Sequence, residues 1–136
     1  MPITEPESWV PVAVGIARDL MGRLLVGQRP ACKNYPGKWE FPGGKIEFGE
    51  SVYTALVREF REELGLEITR AEPAFVVRHH YSDLSVELNV WRVIDFCGNA
   101  AGLEGQVVCW VAPRELDGLD FLEGNQTLVQ RIIGET

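Results

Sequence analysis

The sequence of 136 residues has few cysteines and no long apolar run. Its three cysteines, Cys32, Cys97 and Cys109, are odd in number and show no CxxC spacing, which argues against a zinc site or a disulfide framework. No stretch approaches the roughly 18 apolar residues of a membrane-spanning helix, and none resembles a signal peptide. We therefore expect a cytoplasmic protein with no membrane partner.

Basic residues are also scarce: 13 lysines and arginines face 20 acidic residues, for a formal net charge of −7. Because binding a polyanion requires a clustered basic surface, we expect no polymeric nucleic acid as a partner. A small polyphosphate is still compatible, since a metal ion and a few local cations can neutralise its charge. The length and the hydrophobic content of 46% predict a single domain over residues 1–136. The sequence does not give the oligomeric state, and we expect a monomer or a homodimer.

The most informative stretch is Gly44–Leu66, GKIEFGESVYTALVREFREELGL. It predicts a helix over Val52–Leu64, because Ser51 is a favourable N-cap, no proline interrupts the segment, and Gly65 is a favourable C-terminal residue. Apolar residues recur along it with i, i+4 spacing and define the buried face. They are Val52, Leu56, Phe60 and Leu64.

Three glutamates lie beside this apolar face. Glu59, Glu62 and Glu63 fall within roughly a 100° sector of the helix, where like charges repel by about 0.2–0.5 kcal/mol per pair. Arg58 is one cation against three carboxylates. A hard divalent cation such as Mg²⁺ would neutralise them, because it binds carboxylate oxygens and completes its shell with water and phosphates. Taken alone, however, a glutamate-rich face is also typical of a solvated helix surface.

The complete spacing of the stretch favours the metal-binding interpretation. Every fixed position of the Nudix hydrolase signature is filled, so the sequence resembles the Nudix hydrolase family and, within it, MutT-like members. These positions are Gly44, Glu50, Arg58, Glu59, Glu62, Glu63 and Gly65, with apolar Phe60 and Leu66. The alternating strand and helix patterns support an α/β protein. The resemblance implies the specific fold, a mixed β-sheet sandwiched between α-helices.

The remaining elements follow from periodicity and turn residues. The predicted elements are strands at Trp9–Ala17, Arg23–Gln28, Ala74–His80, Leu84–Ile94 and Val107–Val111, a helical turn at Pro113–Leu116 and a helix at Asn125–Ile133. The first two strands are expected to pair as a hairpin around Asp19–Gly22. Glu67–Arg70 is expected to be a polar connection. His79 and His80 are not expected to share a metal ion, because adjacent strand residues point to opposite faces.

The resemblance implies Mg²⁺, or Mn²⁺, as the cofactor of phosphate hydrolysis. The implied ligands are the carbonyl of Gly43 and the carboxylates of Glu59, Glu62, Glu63 and Glu104. Glu104 is included because its LEGQ segment matches the place where MutT-type members carry a further acidic residue, although a loop glutamate is ordinarily solvent-exposed. Glu59, Glu62 and Glu104 are the candidates for the general base. Arg58 is expected to orient the glutamates, and Gly44 and Glu50 to support them.

Three further residues are candidates for substrate binding. Arg29 lies where MutT-like members carry an arginine, and Lys45 follows the paired glycines, where it could reach a phosphate. Either could equally be an exposed surface cation. Asn125 ends a segment, DFLEGN, that resembles the D-F-x-x-x-N segment in which the asparagine amide of MutT-type enzymes reads the base. Its position also suits a helix cap.

The function implied is hydrolysis of a nucleoside triphosphate to the monophosphate and pyrophosphate, with an oxidised purine such as 8-oxo-dGTP as the expected substrate. The alternatives are a Nudix pyrophosphatase for another nucleotide, of the CTP or dCTP type or ADP-ribose, and a catalytically silent nucleotide-binding domain. The intact set of glutamates argues against the silent domain.

Overall fold

The computed structural model describes residues 8–135. In chain order the elements are β1 (Val10–Ala17), β2 (Leu24–Gln28), β3 (Trp39–Glu40), β4 (Gly43–Lys45), α1 (Val52–Leu64), β5 (Glu67–His80), β6 (Ser85–Cys97), β7 (Val107–Val111), a 3₁₀ helix (Pro113–Gly118) and α2 (Glu123–Glu135). Neither described helix combines the length and the apolar content needed to cross a bilayer.

The strands form two sheets rather than one. A four-stranded mixed sheet has the order β4-β1-β6-β5. The β1–β6 pair is parallel, and the β4–β1 and β6–β5 pairs are antiparallel. A three-stranded antiparallel sheet has the order β3-β2-β7. Helix α1 packs against β1, β4 and β5, and α2 packs against β5 and the 3₁₀ helix. This arrangement confirms the predicted α/β fold.

Alternation along the central strands divides the interior into two cores. On β1, Ala13 and Ala17 face the core beneath α1, whereas Val14 and Ile16 face the core that α2 covers. On the apolar face of α1, Leu56, Phe60 and Leu64 are fully buried in the first of these cores, as their i, i+4 spacing predicts, and Val52 is partly buried at its edge. Between these alanines, Gly15 leaves room for Phe60, the largest fully buried side chain of residues 8–135, since an added Cβ would lie 2.6 Å from its ring.

The ends of α1 are also as predicted. The Ser51 hydroxyl accepts a hydrogen bond from the Thr54 N–H at 3.1 Å, which satisfies one of the free donors of the first turn. Gly65 adopts a left-handed conformation with φ of 71°, and its N–H donates to the carbonyl of Arg61. Both ends of α1 are therefore fixed, which fixes the position of its carboxylates relative to β4.

The predicted hairpin of the first two strands is wrong. β1 and β2 join different sheets, and they meet only at an isolated bridge between Arg18 and Leu24. The reason is that β4 and β6 already occupy both edges of β1, so no row of backbone groups is left for β2. Two closely spaced strands with a turn between them cannot reveal this competition.

Two details of the long β5–β6 pair also differ. Glu67–Arg70 is the start of β5 and not a connection; its pairing with β6 is irregular around Arg70, which hid the strand pattern. Ile94 continues the apolar alternation of Val86, Leu88 and Val90 along β6, which predicts a buried position, but it is exposed. It lies one residue beyond Val93, the last β6 residue paired with β1, so the neighbouring strand no longer covers it.

Candidate active site

The carboxylate of Glu59 on α1 packs directly against the backbone of β4. Glu59 lies directly over Gly44, where an added Cβ would overlap its carboxyl group. At Gly43 an added Cβ would overlap the Ala13 carbonyl oxygen of the neighbouring strand. Both glycines are therefore required sterically, and together they form a cradle that brings a carboxylate against the β4 backbone.

Arg58 connects the acidic residues of this region. Its Nε and Nη2 donate to the two carboxylate oxygens of Glu50 at 2.8 Å each, and its Nη1 donates to Glu59 at 2.8 Å and to Glu62 at 3.4 Å. Nη2 also donates to the Lys45 carbonyl at 3.0 Å. A planar guanidinium with five donors suits such a hub, which a lysine could not reproduce.

The paired contacts with Arg58 change the protonation of Glu50. The hydrogen bonds from Arg58, assisted by the Glu47 backbone N–H, lower the pKa of Glu50 to about 2. Glu50 is therefore ionised throughout the neutral range, and it holds the guanidinium in place with a fixed negative charge. The structure thus brings the predicted orienting residue and its predicted support together.

Glu63 has the opposite environment. Burial, together with the nearby charges of Glu59, Glu40 and Glu104, raises its pKa to about 9, while a hydrogen bond with the Gly43 backbone acts in the other direction. Burial also raises the pKa of Glu59, although its hydrogen bond with Arg58 opposes this. Burial and like charges therefore disfavour the ionised form of Glu63 unless a cation binds beside it.

Glu104 reaches the same place from a distant loop. The loop before β7 docks onto the C-terminal turn of α1, where the Leu103 N–H and the Gln106 Nε2 both donate to the Glu63 carbonyl at 3.0 Å. The Gln106 Oε1 also accepts from the Glu104 N–H at 2.9 Å. Gln106, which the sequence analysis did not consider, thereby fixes the loop that carries the predicted acidic residue.

The donor set suits a hard divalent cation. Within residues 8–135, no group of three or more histidine, cysteine, aspartate or glutamate side chains is already arranged at metal-binding geometry. The oxygen donors nevertheless converge: the β4 cradle lies beside Glu59 and Glu63, the Glu104 charge acts on Glu63, and Glu62 is 55% exposed next to them. Carboxylate and carbonyl oxygens around excess negative charge fit Mg²⁺ or Mn²⁺.

These residues line the part of a cavity of about 630 Å³ that is formed by α1 and β4, which we call its acidic end. Arg29 and Lys45 line it as well. The guanidinium of Arg29 is bound to the chain itself: Nη1 donates to Glu40 at 3.0 Å and Nε to the Asn34 carbonyl at 2.6 Å. Glu40 is a cavity residue that the sequence analysis missed, because nothing in its local pattern distinguishes it from a strand glutamate.

Asn125, on α2, also lines the cavity and is buried. The helix-cap alternative is wrong, since α2 begins two residues earlier, at Glu123. The Asn125 Oδ1 instead accepts the backbone N–H of Phe41 at 3.0 Å. This bond fixes the orientation of the amide, because only the oxygen can accept. Among residues 8–135, no hydrogen-bond acceptor faces Nδ2, which is left for a ligand in the cavity.

Comparisons with known proteins agree with this geometry. Residues 13–131 match the NUDIX domain family. A CTP pyrophosphohydrolase of Escherichia coli is 44% identical over 104 residues, 76% of each chain. An 8-oxo-dGTP diphosphatase of Haemophilus influenzae is 33% identical over 127 residues, 93% of each chain. A solved MutT structure, from work on Aliivibrio salmonicida and Vibrio cholerae, has a TM-score of 0.81 at 32% identity and covers 95% of this chain and 100% of that one.

An α/β sandwich that carries a carboxylate helix against a glycine cradle defines a hydrolase site of the Nudix type. The chain belongs to the Nudix family and is a Nudix hydrolase. Nudix hydrolases generally use divalent metal ions.

Proposed function

We propose that the protein hydrolyses a nucleoside triphosphate to the monophosphate and pyrophosphate, with an oxidised purine nucleotide such as 8-oxo-dGTP as its preferred substrate. The observation that carries the proposal is the lining of the cavity, which combines acidic metal-ligand candidates beside α1 with the oriented amide of Asn125 on α2. A nucleoside triphosphate needs both, since its phosphates bind through a metal ion and its base through hydrogen bonds. The 8-oxo-dGTP diphosphatase relative, which is aligned over 93% of the chain, supports the choice of base.

At the acidic end, Glu59, Glu62, Glu63, Glu104 and the Gly43 carbonyl would hold Mg²⁺ or Mn²⁺. When bound, the ion supplies Lewis-acid stabilisation to the charge that develops on the phosphate oxygens. Arg58 donates hydrogen bonds to both Glu59 and Glu62 and so holds their carboxylates close together, and Glu50 balances the charge of Arg58.

The general base takes the proton of the attacking water. Glu59 is poorly suited to this role, because Arg58 already donates to one of its oxygens and the carboxyl group lies against Gly44. Glu62 is 55% exposed and Glu104 is also exposed, so each has oxygens that can reach a water in the cavity. We therefore assign the base to Glu62 or Glu104, and expect removing it to cost about 10²–10⁴-fold in rate.

At the phosphate end, Lys45 provides an exposed point charge beside the glycine cradle. Arg29 braces Glu40 and the 29–38 loop with Nε and Nη1, and it contacts the substrate through Nη2, which has no acceptor in the described chain. At the base end, Asn125 donates from Nδ2 to a carbonyl oxygen of the base. Its Oδ1 has a second lone pair, which accepts an N–H from the same edge.

The test is a nucleotide panel in Mg²⁺: 8-oxo-dGTP, dGTP, dCTP, CTP and ADP-ribose, compared by kcat/KM for formation of the monophosphate. We expect 8-oxo-dGTP to be preferred over dGTP by at least about tenfold. A Glu62→Gln variant purified in parallel controls for contaminating phosphatases.

CTP is the second candidate, because the CTP pyrophosphohydrolase relative has the higher identity, 44%. The Asn125 amide alone does not distinguish an oxidised purine from cytosine, since cytosine also presents a hydrogen-bond donor beside an acceptor. Faster turnover of CTP or dCTP than of 8-oxo-dGTP would keep the hydrolytic mechanism and replace the substrate. Absence of turnover with the whole panel would instead support a nucleotide-binding domain without catalysis.

A further inference from the structure

Tyr81 connects the β5–β6 turn to the start of α2. Its hydroxyl oxygen accepts the backbone N–H of Gly124 at 2.8 Å. The fit leaves no spare room, because a Cβ added at Gly124 would come within 2.7 Å of the Tyr81 hydroxyl oxygen and 3.5 Å of the His79 Cβ. The tyrosine hydroxyl therefore requires a residue without a Cβ at position 124.

This hydrogen bond takes the place of a helix cap. The first N–H groups of a helix have no partner within it, and a serine, threonine, aspartate or asparagine usually supplies one. Leu122, which precedes α2, has no polar side chain to do so. Instead, the acceptor for the N–H of Gly124 comes from Tyr81, 43 residues earlier in the chain.

Gly124 is bonded covalently to Asn125, the residue assigned to base recognition. Asn125 is therefore fixed from two directions: its amide by the Phe41 N–H, and its backbone through Gly124 by the Tyr81 hydroxyl. The Tyr81 ring also lines the cavity, and its centroid lies 5.5 Å from that of Tyr35.

We propose that Tyr81 is a positioning residue for base discrimination. Its hydroxyl acts through Gly124 to hold the Asn125 amide in position against the base. The proposal depends on the role given to Asn125 under the proposed function. It predicts that the hydroxyl, which hydrogen-bonds to Gly124, affects how well the enzyme distinguishes bases rather than how fast it hydrolyses a bound nucleotide.

The experiment measures kcat and KM for the preferred nucleotide of the panel and for dGTP in Tyr81→Phe. We expect KM for the preferred nucleotide to rise up to about tenfold, the equivalent of one hydrogen bond, with kcat within about twofold of wild type. The discrimination between the two nucleotides should fall by a similar factor. The matched control is Tyr53→Phe on α1, whose ring packs against Trp91 and does not line the cavity; both parameters should stay at the wild-type value.

The second arm uses the steric complementarity. Gly124→Ala alone should lower discrimination at least as much as Tyr81→Phe, because its Cβ overlaps the hydroxyl. In the double variant Tyr81→Phe/Gly124→Ala the hydroxyl is gone, so the methyl group fits. Its loss should be no greater than that of Tyr81→Phe alone, and well below the product of the two single losses. This arm remains informative even where Gly124→Ala folds poorly.

Unchanged discrimination in Tyr81→Phe, in an enzyme where Asn125→Ala does lower it, would overturn the inference and leave the proposed function intact. So would an equal loss of kcat for all bases, which indicates a general structural role. If Asn125→Ala leaves discrimination unchanged while hydrolysis continues, base reading by Asn125 fails, and the inference fails with it.

Discussion

At the acidic end of the cavity, Arg58 holds Glu50 and Glu59 by charge-assisted hydrogen bonds between residues on one helix and the loop before it. At the base end, Asn125 is held by a neutral hydrogen bond from Phe41, 84 residues away, and through Gly124 by Tyr81. Charge-assisted hydrogen bonds are roughly twice as strong as neutral ones. The acidic end is therefore local and strongly held, whereas the base end depends on how distant segments pack.

This difference predicts that catalysis and selectivity depend on separate parts of the cavity. A substitution at the acidic end should slow all substrates alike. A substitution at the base end should change which substrate is preferred. The predictions below test this separation, starting with the largest effect.

Glu62→Gln should lower kcat by about 10²–10⁴-fold for every nucleotide, because the amide can neither accept the proton of water nor bind a divalent ion as a carboxylate does. The fold should be unaffected, since the side chain is 55% exposed. Steady-state kinetics and circular dichroism check both expectations. Glu72→Gln, an exposed strand position, is the matched control and should keep full activity. Near wild-type turnover in Glu62→Gln would exclude Glu62 from the reaction.

Arg58→Lys should lower kcat/KM by about 10–100-fold, the usual cost of losing a residue that orients metal ligands. A lysine has one ammonium group and cannot donate to Glu50, Glu59 and Glu62 in the same geometry. The loss should also be nearly equal for all bases. A loss that depends on the base would contradict the separation between the two ends.

Stability of the metal-free protein should fall as the pH rises from about 4.5 to about 9. In this window Glu63 keeps a proton in the folded state, where its pKa is raised to about 9, and loses it in the unfolded state, where the pKa is near 4.5. The folded state thus binds more protons, and its stabilisation by this group decreases by up to about 1.4 kcal/mol per pH unit.

Urea unfolding at several pH values in EDTA measures this slope. Glu63→Gln should flatten it, because the amide does not titrate. Added Mg²⁺ should also reduce it, since the ion replaces the proton as the partner of the carboxylate. A slope that is the same in wild type and Glu63→Gln would show that Glu63 is ionised in the metal-free site.

Sequence patterns predicted α1, its caps and its carboxylates because each depends on residues within a few positions of one another. The same patterns failed wherever distant segments compete or meet. The hairpin of β1 and β2 is absent because β4 and β6 occupy β1. The roles of Glu40, Gln106 and Tyr81 depend on contacts to Arg29, Glu63 and Gly124, and no local spacing encodes these contacts.

Asn125 shows the limit most clearly. Its position in the sequence suited a helix cap and base recognition equally. The start of α2 at Glu123 excludes the cap, and the hydrogen bond from Phe41, which requires the folded chain, shows how the amide is oriented. The substrate is harder to predict from the sequence than the type of reaction, because base recognition depends on contacts between distant segments.

The most direct test of the separation between the two ends compares Asn125→Ala with Glu62→Gln by the ratio of kcat/KM for 8-oxo-dGTP to that for dGTP. We predict that Asn125→Ala brings this ratio about tenfold closer to one, with kcat little changed, and that Glu62→Gln keeps the wild-type ratio at a much lower rate. A ratio that falls equally in both variants, or in neither, would contradict the account.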